Sequence, residues 1–445
     1  MTPAPPAIGG DAYARRRRHF LEAIGEGSAA LFVSAPVAVR AHDVEFPYRQ
    51  DNDFLYLTGF PEPESAALLI PNHDEGEFHL FVRPRDPERE TWTGRRAGVD
   101  GARSRFGADA AHAIGELDEL VPKLAERCER FFFALGRDRA ANERALRWLQ
   151  HWQQGRPRLG AGPRALCDPS DIVHAMRLIK DPEEIDILRA SAAVAGAAHE
   201  NAMRSVRPGM REFEVEAQLA YDFRRRGASG PAYPSIVAGG ANATILHYVD
   251  NDATLAAEDL LLIDAGAELG GYCSDVTRTF PIGRAFDEAQ RDLYETVLRA
   301  QKAAIEAVRP GVAFDAPHHA ALEALVEGLL SAGLLSGDAA KLIDGEAYRP
   351  YYMHRTSHWL GLDVHDVGAY RHDGEARKLE PGMVLTIEPG LYVAADAAEA
   401  KYRGIGIRIE DDVAVTEDGH DVLSAGIPKE VDELEALRHE ALAGT

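Results

Sequence analysis

Short apolar segments alternate with turn-forming residues in the first part of the chain. Four of these segments have the length and side-chain content of β-strands, namely Ala29–Val33, Phe54–Leu57, Ala66–Ile70 and Phe78–Val82. Apolar residues at helical spacing predict helices over about Tyr13–Ile24 and over Ile114–Arg127. The first ten residues, rich in Pro, Ala and Gly, predict a tail without regular structure. Together these patterns predict a smaller mixed α/β domain at the N-terminus.

The pattern changes after a cluster of Gly and Pro between Gly155 and Pro169. Long amphipathic helices follow, and one of them is predicted to begin with Asp181 as N-cap and Pro182 in the first helical position. Pro-Gly pairs at 208–209 and 310–311 each separate two predicted helices and precede β-rich sequence. We therefore expect an α/β (α+β) protein with two domains, residues 1–172 and residues 173–445.

The charge balance excludes some classes of partner. The chain has 49 Lys and Arg against 72 Asp and Glu, which gives a formal net charge of −23. Such an acidic protein is not built to bind nucleic acid or an anionic membrane surface. The run Arg15–Arg18 is the main basic cluster, and we expect it to be a solvated helix face. An excess of carboxylates is also compatible with bound cations.

The sequence carries no sign of export or of a disulfide framework. Three cysteines, far apart and odd in number, indicate a reducing compartment. The N-terminal basic run is not followed by the apolar core of a signal peptide. No segment approaches the roughly 18 apolar residues of a membrane span. A cytoplasmic protein is therefore expected.

Two aspartates follow one another on what the sequence predicts to be a β-hairpin. The apolar strand Leu260–Ile263 ends in Asp264, and a Gly-rich turn leads into a second strand that carries Asp275. A turn centred on Leu269 and Gly270 would place the two aspartates directly opposite each other. Like charges in opposed positions are destabilising, and a bound divalent cation would offset their repulsion.

Two later strands also bring acids to the end of apolar sequence. Glu388 follows the apolar run Met383–Ile387, and Glu410 lies in a strand where isoleucines alternate with Gly, Arg and Glu. The alternation places Arg408 and Glu410 on one face. A strand that carries Gly, Arg and Glu on one face is expected to contribute side chains to a functional site.

Histidines cluster in one short segment. His354, His358 and His365 lie within 12 residues, among small and apolar neighbours, and His247 follows a Gly-rich turn. A single histidine is more often structural, and His318, His319 and His372 are expected to belong to that class. Together, the acids and these histidines indicate one site.

At this point the sequence resembles a known family. The segments DAG-x₈-D-x-TRTF, HWLGLDVHDVG, EPGLY and GIGIRIEDD are similar to the metal-site signatures of the pita-bread metallopeptidases, and most similar to those of the aminopeptidase P (Xaa-Pro aminopeptidase) family. The N-terminal FPYRQDNDFLYLTGFPEPESAALLI looks like the non-catalytic first domain of that family. The resemblance implies a pita-bread catalytic domain and release of the N-terminal residue from peptides with proline in second position.

The resemblance also implies a role for each site residue. Two divalent cations, usually Mn²⁺, would be ligated by Asp264, Asp275, His358, Glu388 and Glu410. Glu388 would also transfer the proton, and His247 and His365 would stabilise the carbonyl oxygen. His354 would shape the pocket, and Arg408 would hydrogen-bond the acidic ligands.

Further expectations concern specificity and assembly. The pair Arg355–Thr356 stands where many members carry Gly-Leu, so the pocket is expected to differ in shape. Trp92 resembles a first-domain tryptophan that reaches a neighbouring subunit's site, although simple packing explains it equally well. A homo-oligomer, dimer or tetramer, is implied, and peptides are the expected partners.

Several alternatives share the same motifs. A prolidase, which cleaves only Xaa-Pro dipeptides, has the same fold and metals, but Trp359 favours aminopeptidase P. A methionine aminopeptidase lacks so large a first domain. A metal-free pita-bread binding protein or a creatinase-like hydrolase would not need all five ligands.

Overall fold

The chain forms two compact units. The computed structural model describes residues 6–397 and 399–443. One unit is Ile8–Arg177, and the other contains the chain from Leu178 onward. Each unit mixes helices with strands, which confirms the predicted fold class. Part of the predicted tail, residues 1–5, lies outside the described residues, and helix begins at Gly10.

The N-terminal unit is built on a mixed six-stranded sheet. Its strands lie in the order Ala110–Ala113, Phe78–Val82, Ala66–Leu69, Ser28–Val33, Arg130–Phe132 and Ala165–Cys167. Its helices are Gly10–Ile24, Asn52–Thr58, Pro87–Thr93, Gly98–Phe106, Leu117–Leu124 and Arg139–Leu159, and Ser170–Leu178 follows them. A small hairpin joins Val39–Ala41 to Val44–Glu45. Apolar side chains from the sheet and from helix Arg139–Leu159 share one core.

Two predictions for this unit are wrong. The segment Phe54–Leu57 is helical, because the carboxylate of Asp51 accepts a hydrogen bond from the backbone N–H of Phe54 at 2.9 Å and caps a helix there. The basic run is not fully solvated: Arg16 and Arg17 are buried. Each guanidinium stacks on an aromatic ring and donates to a backbone carbonyl oxygen, which offsets the loss of water.

The second unit contains six α-helices among the described residues. They are Pro182–Ser205, Glu212–Arg225, Glu288–Glu306, Ala316–Ser331, Ala339–Asp344 and Val431–Ala443. The predicted start at Pro182 is confirmed, and the Glu184 carboxylate accepts from the backbone N–H of Asp181 at 2.8 Å. No helix in the described part of the chain combines the length and apolar character that a membrane span needs.

Short antiparallel sheets complete this unit, and the candidate acids lie at or next to the ends of their strands. One sheet has the order Ile236–Gly239, Leu260–Asp264 and Thr277–Pro281, and another has the order Val384–Ile387, Asp411–Val415 and His420–Val422. Smaller sheets pair Gly230–Pro231, Ala267–Leu269 and Tyr272–Cys273, then Gly390–Tyr392 with Gly406–Arg408, and Arg371–His372 with Glu375–Ala376. Helices and sheets of this unit share one apolar core.

The register of the aspartate hairpin differs from the prediction by two positions. The turn is Gly270–Gly271, with φ values of 60° and 87°, and not Leu269–Gly270. Both angles lie in the left-handed region that glycine tolerates, so a two-residue turn forms there. Asp264 therefore lies opposite Thr277, and Asp275 lies two positions before that partner.

Candidate metal centre

All the residues that the sequence singled out for the site line one cavity of about 270 Å³ in the second unit. The lining side chains are Leu246, His247, Asp264, Asp275, His354, Arg355, Ser357, His358, His365, Glu388, Arg408 and Glu410. They come from strand ends and loops that are far apart in sequence. The fold thus brings acids and imidazoles together, as a site for a cation requires.

Three of these residues form a tight cluster of possible ligand atoms. One side-chain atom from each of Asp275, His358 and Glu410 lies within 4.8 Å of the other two. His358 Nε2 lies 3.4 Å from Asp275 Oδ2 and 3.7 Å from Glu388 Oε1. The Nδ1 atom of His358 lies 2.9 Å from the carbonyl oxygen of Trp359. A proton on Nδ1 leaves Nε2 free to bind a metal.

A tyrosine hydroxyl links the two aspartates. The Tyr233 hydroxyl lies 2.6 Å from Asp264 Oδ1 and 2.5 Å from Asp275 Oδ1. The two carboxylates are therefore close neighbours although they are not opposed across the hairpin. Their approach is supported by Gly266, because a Cβ atom there would meet the carbonyl oxygen of Ser274 at 1.7 Å.

Burial and mutual repulsion perturb the acids. Burial and then the charge of Asp275 raise the pKa of Glu410 well above its ordinary value. Burial raises the pKa of Glu388 to about 7, despite the opposing effect of His358. Burial also opposes the charge of Asp275, but the hydrogen bond with His358 lowers its pKa. Acids that resist ionising together form a site that a divalent cation would stabilise.

The same field acts on His358. Burial opposes a charge on this imidazole, but Asp275 and Glu388 raise its pKa to about 9. The cavity therefore attracts positive charge. Carboxylate oxygens with one imidazole are a donor set for hard or borderline divalent metals, so the residues present fit such ions.

Arg408 hydrogen-bonds several side chains that line or adjoin the cavity. Its Nη2 atom donates to Asp264 Oδ2 at 2.6 Å, and its Nη1 atom donates to the Tyr392 hydroxyl at 3.0 Å. That hydroxyl lies 2.9 Å from His354 Nε2. The Nε atom of Arg408 donates to Thr277 Oγ1, whose own proton goes to Glu410 Oε2 at 2.7 Å. One guanidinium thus fixes two acids and an imidazole.

Strand Asp411–Val415, which follows Glu410, is fixed by a buried ion pair. Arg278 and Asp411 are fully buried, and Nη2 of the arginine donates to Asp411 Oδ1 at 2.8 Å. Arg278 also donates to the carbonyl oxygen of Glu410 at 2.6 Å. Asp411 further accepts from Lys429 and Gln301. The backbone of Glu410 is therefore held in place from behind.

Comparisons with known proteins decide the family. The family model described as metallopeptidase family M24 matches residues 186–417, and the model described as aminopeptidase P, N-terminal domain, matches residues 13–132. Xaa-Pro aminopeptidase of Escherichia coli K12 is 43% identical over 427 residues, which cover 96% of this chain and 97% of that protein. The chain belongs to metallopeptidase family M24.

Solved structures agree with the M24 assignment. The structure of Pseudomonas aeruginosa aminopeptidase PepP matches with a TM-score of 0.97 and 47% identity, covering 98% of this chain and all of that one. Structures of Escherichia coli aminopeptidase P in complex with substrate and, zinc-substituted, with product match with TM-scores of 0.95 and 43% identity. These two cover 98% of this chain and 99% of theirs.

The sequence pattern missed several residues of this M24 site. Tyr233 lies in a loop without periodicity, and only its Gly-Pro and Pro neighbours hint at a fixed turn. Tyr392 follows the EPGL segment directly and could have been found from it. Arg278 and Asp411 look like ordinary charges in the sequence. Their contacts become visible only when strands distant in sequence pack together.

Proposed function

We propose that the protein is a metal-dependent exopeptidase that releases the N-terminal residue from peptides with proline in second position. The observation that carries this proposal is the convergence of four carboxylates and the histidines in one cavity of an M24 chain. The similarity to Xaa-Pro aminopeptidase extends through both units, which supports that activity over other M24 activities.

The proposal assigns two divalent cations, most simply Mn²⁺, to five ligands: Asp264, Asp275, His358, Glu388 and Glu410. The donor set supports this assignment, because four carboxylates balance the charge of two dications. When bound, such a pair of cations activates water near neutral pH and polarises the peptide carbonyl. The remaining steps fall to side chains of this chain.

Glu388 is suited to move the proton. It lines the cavity beside the other candidate ligands and close to two imidazoles. Its Oε2 lies 3.7 Å from His354 Nδ1 and its Oε1 lies 3.7 Å from His358 Nε2. We assign to Glu388 the acceptance of a proton from the attacking water and the transfer of that proton to the proline nitrogen as the Xaa–Pro amide bond breaks.

The other groups orient the substrate. His247 and His365 line the cavity and can donate to the carbonyl oxygen as negative charge develops there. His354 shapes the pocket, since its ring nitrogens lie 2.7 Å from the carbonyl oxygen of Arg355 and 2.9 Å from the Tyr392 hydroxyl. Arg408 keeps Asp264 in place, and the N-terminal amino group of the substrate would lie beside Asp264. Proline offers no N–H, so its selection rests on the shape of the ring.

The proposal extends to the organisation of the protein. We propose an N-terminal domain, residues 1–172, and a catalytic domain, residues 173–445, with a boundary inside helix Ser170–Leu178. Trp92, 88% exposed, supports assembly into a homo-oligomer. The free cysteines Cys128, Cys167 and Cys273 support a cytoplasmic location. No nucleic-acid or membrane partner is proposed.

Peptide hydrolysis tests the function. The metal-loaded protein is expected to cleave Ala-Pro-Ala, to leave Ala-Ala-Ala intact, and to lose activity in a chelator until Mn²⁺ is restored. Cleavage of the dipeptide Ala-Pro alone would identify a prolidase. Absence of bound metal and of hydrolysis would favour a binding protein or metal-free chemistry.

A further inference from the structure

A second cavity adjoins the catalytic one. It has a volume of about 400 Å³, and its lining includes Arg355 and Ser357, which also line the catalytic cavity. Phe314 and Tyr370 form an aromatic wall, with ring centroids 4.8 Å apart. We call this cavity the side pocket. Its size and its aromatic wall are those of a ligand pocket.

Two polar groups at the junction have no partner within the described residues. The guanidinium of Arg355 makes neither a hydrogen bond nor an ion pair with any described side chain or backbone group. Ser357 Oγ is buried and also lacks a hydrogen-bond partner there. The other arginine of the pocket, Arg371, already donates to the carbonyl oxygen of Gly374 from Nε at 3.0 Å and from Nη2 at 2.6 Å. Arg355 is therefore the cation that remains available.

The charge of the side pocket indicates which end of a peptide it accepts. In the proposed function the catalytic cavity takes the N-terminus of the peptide, and its four carboxylates are balanced by the two dications. The side pocket contains Arg355 and Arg371 against a single acid, Asp315, so it disfavours an ammonium group. A peptide whose N-terminus lies in the catalytic cavity can therefore continue into the side pocket after proline.

We propose that the side pocket binds the residue that follows proline, and that Arg355 binds a carboxylate carried by that residue. The inference rests on the proposed function. The carboxylate is either the side chain of Asp or Glu in third position or the C-terminus of a tripeptide. The aromatic wall holds the aliphatic part of the residue, and Arg355 forms a charge-assisted hydrogen bond with the oxygens.

Matched peptides measure the preference. We expect kcat/KM to be about fivefold higher for Ala-Pro-Glu-amide than for Ala-Pro-Gln-amide if the side chain supplies the carboxylate. If the C-terminus supplies it, Ala-Pro-Ala is preferred over its amide by a similar factor. Either ratio should decrease as salt is raised, because the arginine is exposed.

Variants decide whether Arg355 is responsible. In Arg355→Gln the ratio is expected to fall to about one, whereas Arg349→Gln, an exposed arginine outside both cavities, should keep it. Calorimetry with Pro-Glu-amide and Pro-Gln-amide gives the same comparison without turnover. If the native protein cleaves the carboxylate and amide peptides with equal kcat/KM, or if the preference persists in Arg355→Gln, the inference is overturned and the proposed function is not affected. Failure to cleave any Xaa-Pro peptide overturns both.

Discussion

The buried pair of Arg278 and Asp411 allows a sharp test of how the site is held. Asp411 accepts hydrogen bonds from Arg278 at 2.8 Å, from Ser424 at 2.6 Å and from Gln301 at 2.7 Å, and it pairs with Lys429. Arg278 and Lys429 together lower its pKa, although burial opposes the charge. The substitution Asp411→Asn removes the charge and turns an amide N–H toward donors, while leaving the volume almost unchanged.

The expected loss of stability is large. Breaking a buried ion pair leaves an uncompensated charge and costs about 3–5 kcal/mol. Arg278 keeps its backbone carbonyl partners, so we expect a value near the lower end, about 3 kcal/mol. The matched control is Asp421→Asn, whose partner Arg189 also lies at 2.7 Å but with both side chains over 40% exposed. That variant should lose less than about 1 kcal/mol.

The assay is amide hydrogen exchange at increasing urea concentration, detected by mass spectrometry. Peptides that contain strand Asp411–Val415 report on the second unit alone. The free energy of opening is measured in chelator for both variants and the native protein. Because Arg278 holds the backbone of Glu410, Asp411→Asn should also weaken metal binding. If Asp411→Asn and Asp421→Asn lose the same free energy of opening, burial is not the reason that the Arg278–Asp411 pair stabilises the protein.

Three further predictions concern metal, hydroxyl and pH. His358→Ala should lose most turnover and at least one metal equivalent per subunit, measured by elemental analysis. The control His372→Ala, at an exposed histidine, should keep its metal content and its turnover. Full metal content in His358→Ala would contradict the ligand assignment. Tyr233→Phe should weaken metal affinity about tenfold in chelator competition, and an unchanged affinity would mean that the hydroxyl does not position the aspartates. Burial lowers the pKa of His79 to about 4, so the unfolded state binds its proton first as the pH falls from 6.5. The N-terminal unit should therefore lose about 2 kcal/mol between pH 6.5 and 4, and His79→Phe should flatten that dependence in denaturation midpoints.

Local signals in the sequence predicted most elements and failed where a distant contact decides. The strand Ala66–Leu69 and the helix beginning at Pro182 follow from periodicity and capping. Helix Asn52–Thr58 could not be predicted in this way, because a short apolar run is compatible with a helix or a strand. The cap by Asp51 determines that this segment is helical. The cluster of Gly and Pro between Gly155 and Pro169, after which the sequence pattern changes, begins inside helix Arg139–Leu159.

The candidate site shows the same division. Acids at the ends of apolar strands, such as Asp264 and Glu388, could be selected from the sequence, because a carboxylate beside buried residues is costly unless it is paired or binds a metal. The pairing of Asp264 with Thr277 could not, because the register depends on which two residues form the turn. No pattern in the sequence indicates that the Tyr233 hydroxyl lies between the two aspartates.

The order in which the chain supplies the candidate ligands has a consequence for biosynthesis. Asp264 ends strand Leu260–Asp264 and Asp275 lies two residues before strand Thr277–Pro281, whereas Glu410 directly precedes strand Asp411–Val415. On a ribosome, the two aspartates emerge well over a hundred residues before Glu410 completes the set. Cations held by the full set would therefore be captured only after Glu410 has emerged, so metal supply would act late in the synthesis of this unit.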